Sequence, residues 1–266
     1  MEIRTFKIDS DADNVTLTAY LAENSPEMPF NRKRDAILVC PGGGYYMCSA
    51  REAEPIALTF MAKGCNAFIL DYVHKGDRVH PGPLLDLCAA VRLMKEKAGE
   101  FRIDPERIFV IGFSAGAHLA ASLGTMWRQP WLYERTGAPA DAFRFRGMIL
   151  CYPVITSGEH CNEGSFQNLL KDGAGDPEQR RCVSLETCVS PDTVPAYIWH
   201  TSDDPGVAVE NSLLFATALA GCRIPFELHV FPHGPHGMSL CDRQTGMPDA
   251  SVADWVGEAV RWMERT

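Results

Sequence analysis

No apolar stretch in this chain approaches the ~20 residues that a bilayer-spanning helix needs. Runs such as Ala36-Ile-Leu-Val-Cys40 and Ala67-Phe-Ile-Leu70 are far too short. The N-terminal Met1–Ile8 alternates apolar and polar residues like a strand and lacks the apolar core of a signal peptide. There is no excess of basic charge either: 25 Lys+Arg against 34 Asp+Glu give a formal charge of −9. That balance disfavours a sequence-independent nucleic-acid binder, which needs a basic face for phosphates. None of the ten cysteines forms a Cys-x-x-Cys pair, and ten are too sparse for a disulfide scaffold of this size. Cys40, Cys65, Cys88 and Cys151 sit in apolar segments, where a reduced thiol behaves as a small hydrophobe. A cytoplasmic protein with free thiols is expected.

Internal repeats and low-complexity tracts are likewise missing. What is present is ordinary globular composition, 46% apolar and 22% charged over 266 residues. Strand-like and helix-like segments alternate, which predicts a mostly parallel sheet covered on both faces. Residues 2–8 and 15–21 read as an opening antiparallel pair, and Pro26 and Pro29 mark a loop. Strands follow at 35–40, 66–72, 107–111, 146–152, 195–200 and 226–231. Helices fit 51–63 (closed by Gly64), 84–94, from about 115, 209–220 and 250–263. Asp104-Pro105-Glu106 reads as a turn or helical start, and a Pro/Gly-rich loop runs to Pro83. Residues 153–194 are irregular and predict a cap-like insertion in one domain spanning 1–266.

The strongest chemical signal is Gly112-Phe-Ser-Ala-Gly116, set between a strand and a helix. A serine nucleophile at such a turn stands on a strained backbone above the sheet, with small residues on either side letting strand and helix approach. The helix N-terminus aims the Ala115 N–H at the site. Pro41-Gly-Gly-Gly44 follows another strand, and glycines there let backbone donors reach a developing oxyanion. A dinucleotide loop on Gly42-x-Gly44 would require Gly or Ala at position 47, which is Met47, and no P-loop Gly-Lys-Ser/Thr is present.

A serine hydroxyl needs a positioned base, and the base an orienting acid. Asp203 and Asp204, at the end of one strand, are the acid candidates. His236, in Phe231-Pro-His-Gly-Pro-His-Gly237 after the last strand, is the base candidate. All follow strand carboxyl ends, where open α/β sheets gather their sites.

Over nearly the whole chain from residue 36, the sequence resembles the α/β-hydrolase superfamily, in particular its acetyl esterase and acetylxylan esterase-like carbohydrate esterases. The likeness runs through PGGGYYMCSAREAEPIAL, DPERIFVIGFSAGAHLA, SPDTVPAYIWHTSDDPGVAVENSLLFATAL and FPHGPHGMSL. It implies the α/β-hydrolase fold and a catalytic triad of Ser114, Asp204 and His236. Asp204 is picked by the family's Asp-x-x-Val-Pro register, although Ala208 replaces the usual proline; Asp203 would be a turn or cap residue. His236 is picked over His233 because the family motif ends Gly-x-His-Gly. Pro41 stands where lipase-like relatives carry His, which leaves the backbone donors in place. By the same alignment the oxyanion hole comprises Gly43, Gly44 and Ala115, with Gly44 and Tyr45 as a shifted register.

His118 reads as a packed, hydrogen-bonded histidine. His229, His233 and His236 mimic metal spacing, but Pro232 and Pro235 deny them a common helical face, and neither metal nor cofactor is expected. Arg51, Glu52 and Glu54 read as a solvated helix start, with support of the site as the alternative. Tyr45 and Tyr46 read as loop aromatics, with sugar binding as the alternative. The expected activity is hydrolysis of short acetyl esters on carbohydrates such as acetylated xylo-oligosaccharides, through an acyl-enzyme on Ser114. An amidase or peptidase with the same triad, or a non-catalytic binding protein, are the alternatives. The partner is then a small-molecule or oligosaccharide ester rather than nucleic acid or membrane, and a homo-oligomer stays open.

Overall fold

A computed structural model describes residues 1–8, 14–28, 33–72 and 78–266. Pro29 of the early loop, and positions 73–77 of the stretch leading to Pro83, lie outside the described residues. Eight strands form one sheet: β1 (Glu2–Lys7), β2 (Thr16–Leu21), β3 (Arg34–Cys40), β4 (Asn66–Asp71), β5 (Ile103–Phe113), β6 (Gly147–Cys151), β7 (Ala196–Thr201) and β8 (Phe226–Phe231). Their spatial order is β1-β2-β4-β3-β5-β6-β7-β8. The pairs β1–β2 and β2–β4 are antiparallel, and every other neighbour pair is parallel.

The central strands are apolar throughout because both faces are covered. Alternate residues divide between two cores. Leu38, Val110, Leu150 and Ile198 face one side, where α2 (Gly82–Glu96), α4 (Ala115–Met126) and α8 (Glu210–Gly221) pack. Ile37, Ile111, Ile149 and Trp199 face the other, against α1 (Glu54–Ala62) and α9 (Trp255–Arg265). Among the described residues no helix is long and apolar enough to cross a membrane.

Local chemistry accounts for the departures from the sequence reading. The helix expected from Arg51 begins at Glu54, because Pro55 is suited to the first turn and residues 50–52 form a separate 3₁₀ turn. Asp104–Glu106 belongs to β5 as an irregularity, where pairing jumps from Arg34–Ile103 to Ala36–Ile108. The helix expected from residue 250 starts at Trp255, since Asp249 accepts the Ser251 N–H and holds a turn there. Two helices the periodicity does not reveal are short: α3 (Ala98–Phe101) and α5 (Pro130–Thr136). Between β6 and β7 the irregular segment carries α6 (Glu163–Leu170) and α7 (Pro177–Cys182).

The sheet places its functional edge through one close approach. A Cβ on Gly112 would meet the Gly116 carbonyl and, at 2.5 Å, the Ala117 Cα. A Cβ on Gly116 would meet the carbonyl oxygens of Cys40 and, at 2.5 Å, Pro41. Both neighbours are backbone and cannot swing aside. Gly116→Ala should therefore destabilise the protein by about 3 kcal/mol, near the upper end for overpacking, as read from urea unfolding. A loss below about 0.5 kcal/mol would show that α4 can retreat from β3 freely.

Candidate active site

Ser114 lies between β5 and α4 with φ 52° and ψ −117°, a left-handed conformation that costs a non-glycine residue ~1–3 kcal/mol. Its neighbours hold it there. The Ser114 N–H donates to Cys151 O at 3.0 Å, and its carbonyl accepts from Ala117 N, His118 N and Val154 N. The residue is 9% exposed, so its hydroxyl sits in a recess.

The sequence-derived residues meet here in one hydrogen-bonded chain. Ser114 Oγ is 2.8 Å from His236 Nε2, and His236 Nδ1 is 2.7 Å from Asp204 Oδ2. A carboxylate can only accept, so Nδ1 carries the proton and Nε2 is left to accept from the hydroxyl. The second Asp204 oxygen accepts the backbone N–H groups of Gly206 (2.7 Å) and Val207 (3.0 Å). His200 Nε2 lies 3.4 Å from Oδ2 while donating to Val207 O, and its Nδ1 accepts from Ser212. Burial would raise the Asp204 pKa, but the bonds from His200 and His236 outweigh it and hold the carboxyl well below the usual carboxylate range.

The loops carrying acid and base are stitched together. Asp203, read from the sequence as a turn or cap residue, instead accepts from His233 Nδ1 (2.8 Å) and Gly234 N (2.9 Å). The His233 bond, more than the Gly234 bond, lowers its pKa. Thr201 Oγ1 donates to Gly234 O and Ser202 Oγ to Pro232 O. His233 therefore stands outside the Ser114 chain, and His229 pairs with Glu227 and Glu258 on the far part of the sheet. Among the described residues no cluster of His, Cys, Asp or Glu is arranged to hold a metal.

The loop after β3 passes directly over the serine. A Cβ on Gly42 would lie 3.1 Å from the Ser114 Cβ. Gly43 adopts φ 131°, a conformation open to glycine. Tyr72 donates to Pro41 O, Asn168 to Gly44 O, and Gly42 N donates to Glu52. Among the described residues no hydrogen bond uses the N–H of Gly43, Gly44 or Ala115.

Three expectations need revision or gain detail. Tyr45 is 2% exposed, with its ring edge-on to Tyr72 and His118, so it has no face for a sugar. Its hydroxyl, 2.8 Å from His118 Nδ1, is enclosed in the core. His118 is the packed histidine expected: Nε2 donates to Val183 O, and burial pushes its pKa down to about 4. Glu52, read as part of a solvated helix start, is 3% exposed and bonded to Gly42 N and Tyr152. The charge pattern left support of the site by Glu52 as the alternative and gave no sign of Tyr152; the cue was a Glu ten residues after Gly42.

This sheet, with an elbow serine, a histidine and an aspartate joined at its strand ends, is the architecture of an α/β hydrolase. The chain belongs to the BD-FAE family, an α/β-hydrolase family whose model matches residues 26–219. It is 39% identical over 233 residues to endo-1,4-beta-xylanase B of Butyrivibrio fibrisolvens, covering 85% of this chain and 35% of that protein. It is 31% identical over 237 residues to an acetylxylan esterase of Xylanibacter ruminicola, covering 87% and 45%. The chain thus spans less than half the length of these curated relatives. Among solved structures, an acetyl ester-xyloside bifunctional hydrolase from Caldicellulosiruptor lactoaceticus superposes with a TM-score of 0.83 at 38% identity, covering 94% of this chain and 88% of that one.

The lowered Asp204 pKa has a consequence for stability. A folded-state pKa below the unfolded 3.8 gives stabilisation that is present above that value and is lost as pH falls through it towards the folded pKa. Asp204→Asn should therefore be less stable than wild type at pH 7, with the gap narrowing below about pH 4. Urea unfolding at several pH values checks this, and a gap independent of pH would contradict it.

Proposed function

We propose that the protein is a serine esterase that hydrolyses short-chain, above all acetyl, esters on xylan-type carbohydrates. The observation carrying this reading is the Ser114–His236–Asp204 chain, with bonds of 2.8 and 2.7 Å, beneath a glycine loop. The likeness to the acetylxylan esterase and the acetyl ester-xyloside hydrolase supports the substrate class.

In the proposed reaction Ser114 Oγ attacks the ester carbonyl carbon while its proton passes to His236 Nε2. The carbonyl electron pair moves onto oxygen, where the N–H groups of Gly43, Gly44 and Ala115 receive it. One such donor contributes roughly 3 kcal/mol to the transition state. Asp204 keeps the imidazole in the required tautomer and stabilises its charged form. Collapse of the tetrahedral intermediate breaks the bond to the alcohol oxygen, which takes the proton from His236. Water, deprotonated by the same nitrogen, then attacks the acyl-enzyme, releasing the acid and restoring Ser114.

The cap supports a preference for small acyl groups. Asn168 on α6 donates to Gly44 O, and Asn162 just before α6 donates to Gly206 O. The α6 segment thus bridges the glycine loop and the loop after β7 with polar side chains. A long acyl chain against that surface would strip water from amide groups without replacing their hydrogen bonds, at a cost of about 1–3 kcal/mol each. Tyr46, 57% exposed beside the glycine loop, is the aromatic left to stack on a sugar ring.

Ser114→Ala should remain folded and lose p-nitrophenyl acetate hydrolysis by roughly 10⁴-fold or more. A folded Ser114→Ala protein with wild-type turnover would end the esterase assignment. Across p-nitrophenyl esters from C2 to C12, kcat/KM should peak at C2–C4; an optimum at C8 or longer would move the protein towards the lipases.

A further inference from the structure

We infer that Glu52 is a positioning residue for the proposed esterase reaction: its buried carboxylate locks the glycine loop to the loop that carries His236. The inference rests on the esterase reading and adds to it a residue outside the triad.

The carboxylate joins three separate parts of the chain. Oε2 accepts the Gly42 N–H at 2.9 Å, one residue before the proposed oxyanion donors. Oε1 accepts the Tyr152 hydroxyl at 2.6 Å. Tyr152, directly after β6, accepts the Ser239 N–H at 2.9 Å, three residues beyond His236. Ser239 closes the circuit by donating its hydroxyl to Arg51 O at 2.6 Å. The Tyr152 ring stands edge-on to His236, with centroids 5.1 Å apart.

Donor accounting requires an acceptor at position 52. The Gly42 and Ser239 amides can only donate, and Tyr152, already accepting from Ser239, has its single proton left for Glu52. Two donors thus converge on the two oxygens of one side chain. Glutamine would keep one acceptor and turn an NH₂ group towards the other donor. Burial raises the Glu52 pKa, while the bonds from Tyr152 and Gly42 and the charges of His236 and Arg51 oppose that rise. Burying a carboxylate is costly without such donors. Here both donor paths lead to the loops that must hold the oxyanion site and the imidazole in register.

The test uses wild type, Glu52→Gln and Tyr152→Phe. Each is followed by p-nitrophenyl acetate kinetics, fluorophosphonate labelling of the active fraction and thermal unfolding. Both variants should lose roughly 10- to 100-fold in kcat with KM changed less than about threefold, as expected when preorganisation rather than binding is lost. A purely structural role would lower the unfolding temperature and the labelled fraction but leave kcat per labelled site and KM unchanged. A folded Glu52→Gln with kcat per labelled site within twofold of wild type would overturn the inference. If Glu52→Gln does not fold, Tyr152→Phe decides by the same kcat criterion. Wild-type protein that neither labels nor hydrolyses the ester would instead overturn the esterase reading and this inference with it.

Discussion

The contact between β5 and α4 sets the position of everything else in the site. With no side chain at Gly112 or Gly116, the helix start lies against the strand end and against the carbonyls of Cys40 and Pro41. Chain continuity through so short a turn leaves Ser114 with a positive φ. That strain, ~1–3 kcal/mol, is distributed over four backbone hydrogen bonds to Cys151, Ala117, His118 and Val154. The same approach brings the end of β3 over the serine, so the glycine loop and the hydroxyl are located by one packing event. A residue held this way has little freedom to drift, and small displacements of reacting groups are costly in rate.

The other two members of the hydrogen-bonded chain are positioned by a different device. They lie on the loops that follow two neighbouring parallel strands, β7 and β8, whose carboxyl ends open onto the same edge. Thr201, Ser202 and Asp203 tie the loop after β7 to the loop after β8 through hydrogen bonds to Pro232, His233 and Gly234. Gly206 packs under the imidazole, where a Cβ would come within 2.8 Å of the His236 Cβ. The loops of Asp204 and His236 are thus tied to each other, and the imidazole has a floor as well as two hydrogen bonds.

The sheet and the elbow were legible in the sequence because each depends on local features. Continuous apolar runs such as 36–40 announce strands covered on both faces, and Gly112-x-Ser-x-Gly116 encodes its own turn. The acid was narrower: two adjacent aspartates bond to two histidines, Asp204 to His236 and Asp203 to His233, and spacing alone treats them alike. Register against related sequences singles out Asp204. Tyr45, in a loop of glycines and apolar residues, and Glu52, among charged neighbours, share one feature: both turn inward to partners 73 and 100 residues away, His118 and Tyr152. Such pairings are tertiary facts with no local signature. The short α5 escaped for want of length, although Pro130 at its start and Gly137 after its end carry the usual punctuation.

Two carboxylates lie around this one imidazole, and their surroundings differ. Asp204 touches His236 directly and also receives two backbone amides, with His200 close by, so it stays ionised and can balance a proton on the imidazole. Glu52 has one amide and one phenol, and the ring of that phenol, Tyr152, stands edge-on to His236. Burial shifts its pKa up where hydrogen bonding shifts that of Asp204 down. Identical chemical groups in unlike environments take unlike tasks. The donor-rich aspartate suits direct electrostatic stabilisation, and the enclosed glutamate suits the fixing of loops. Exchanging their environments would leave the imidazole with a partner prone to protonation, which is why donor count, more than proximity, separates the two roles.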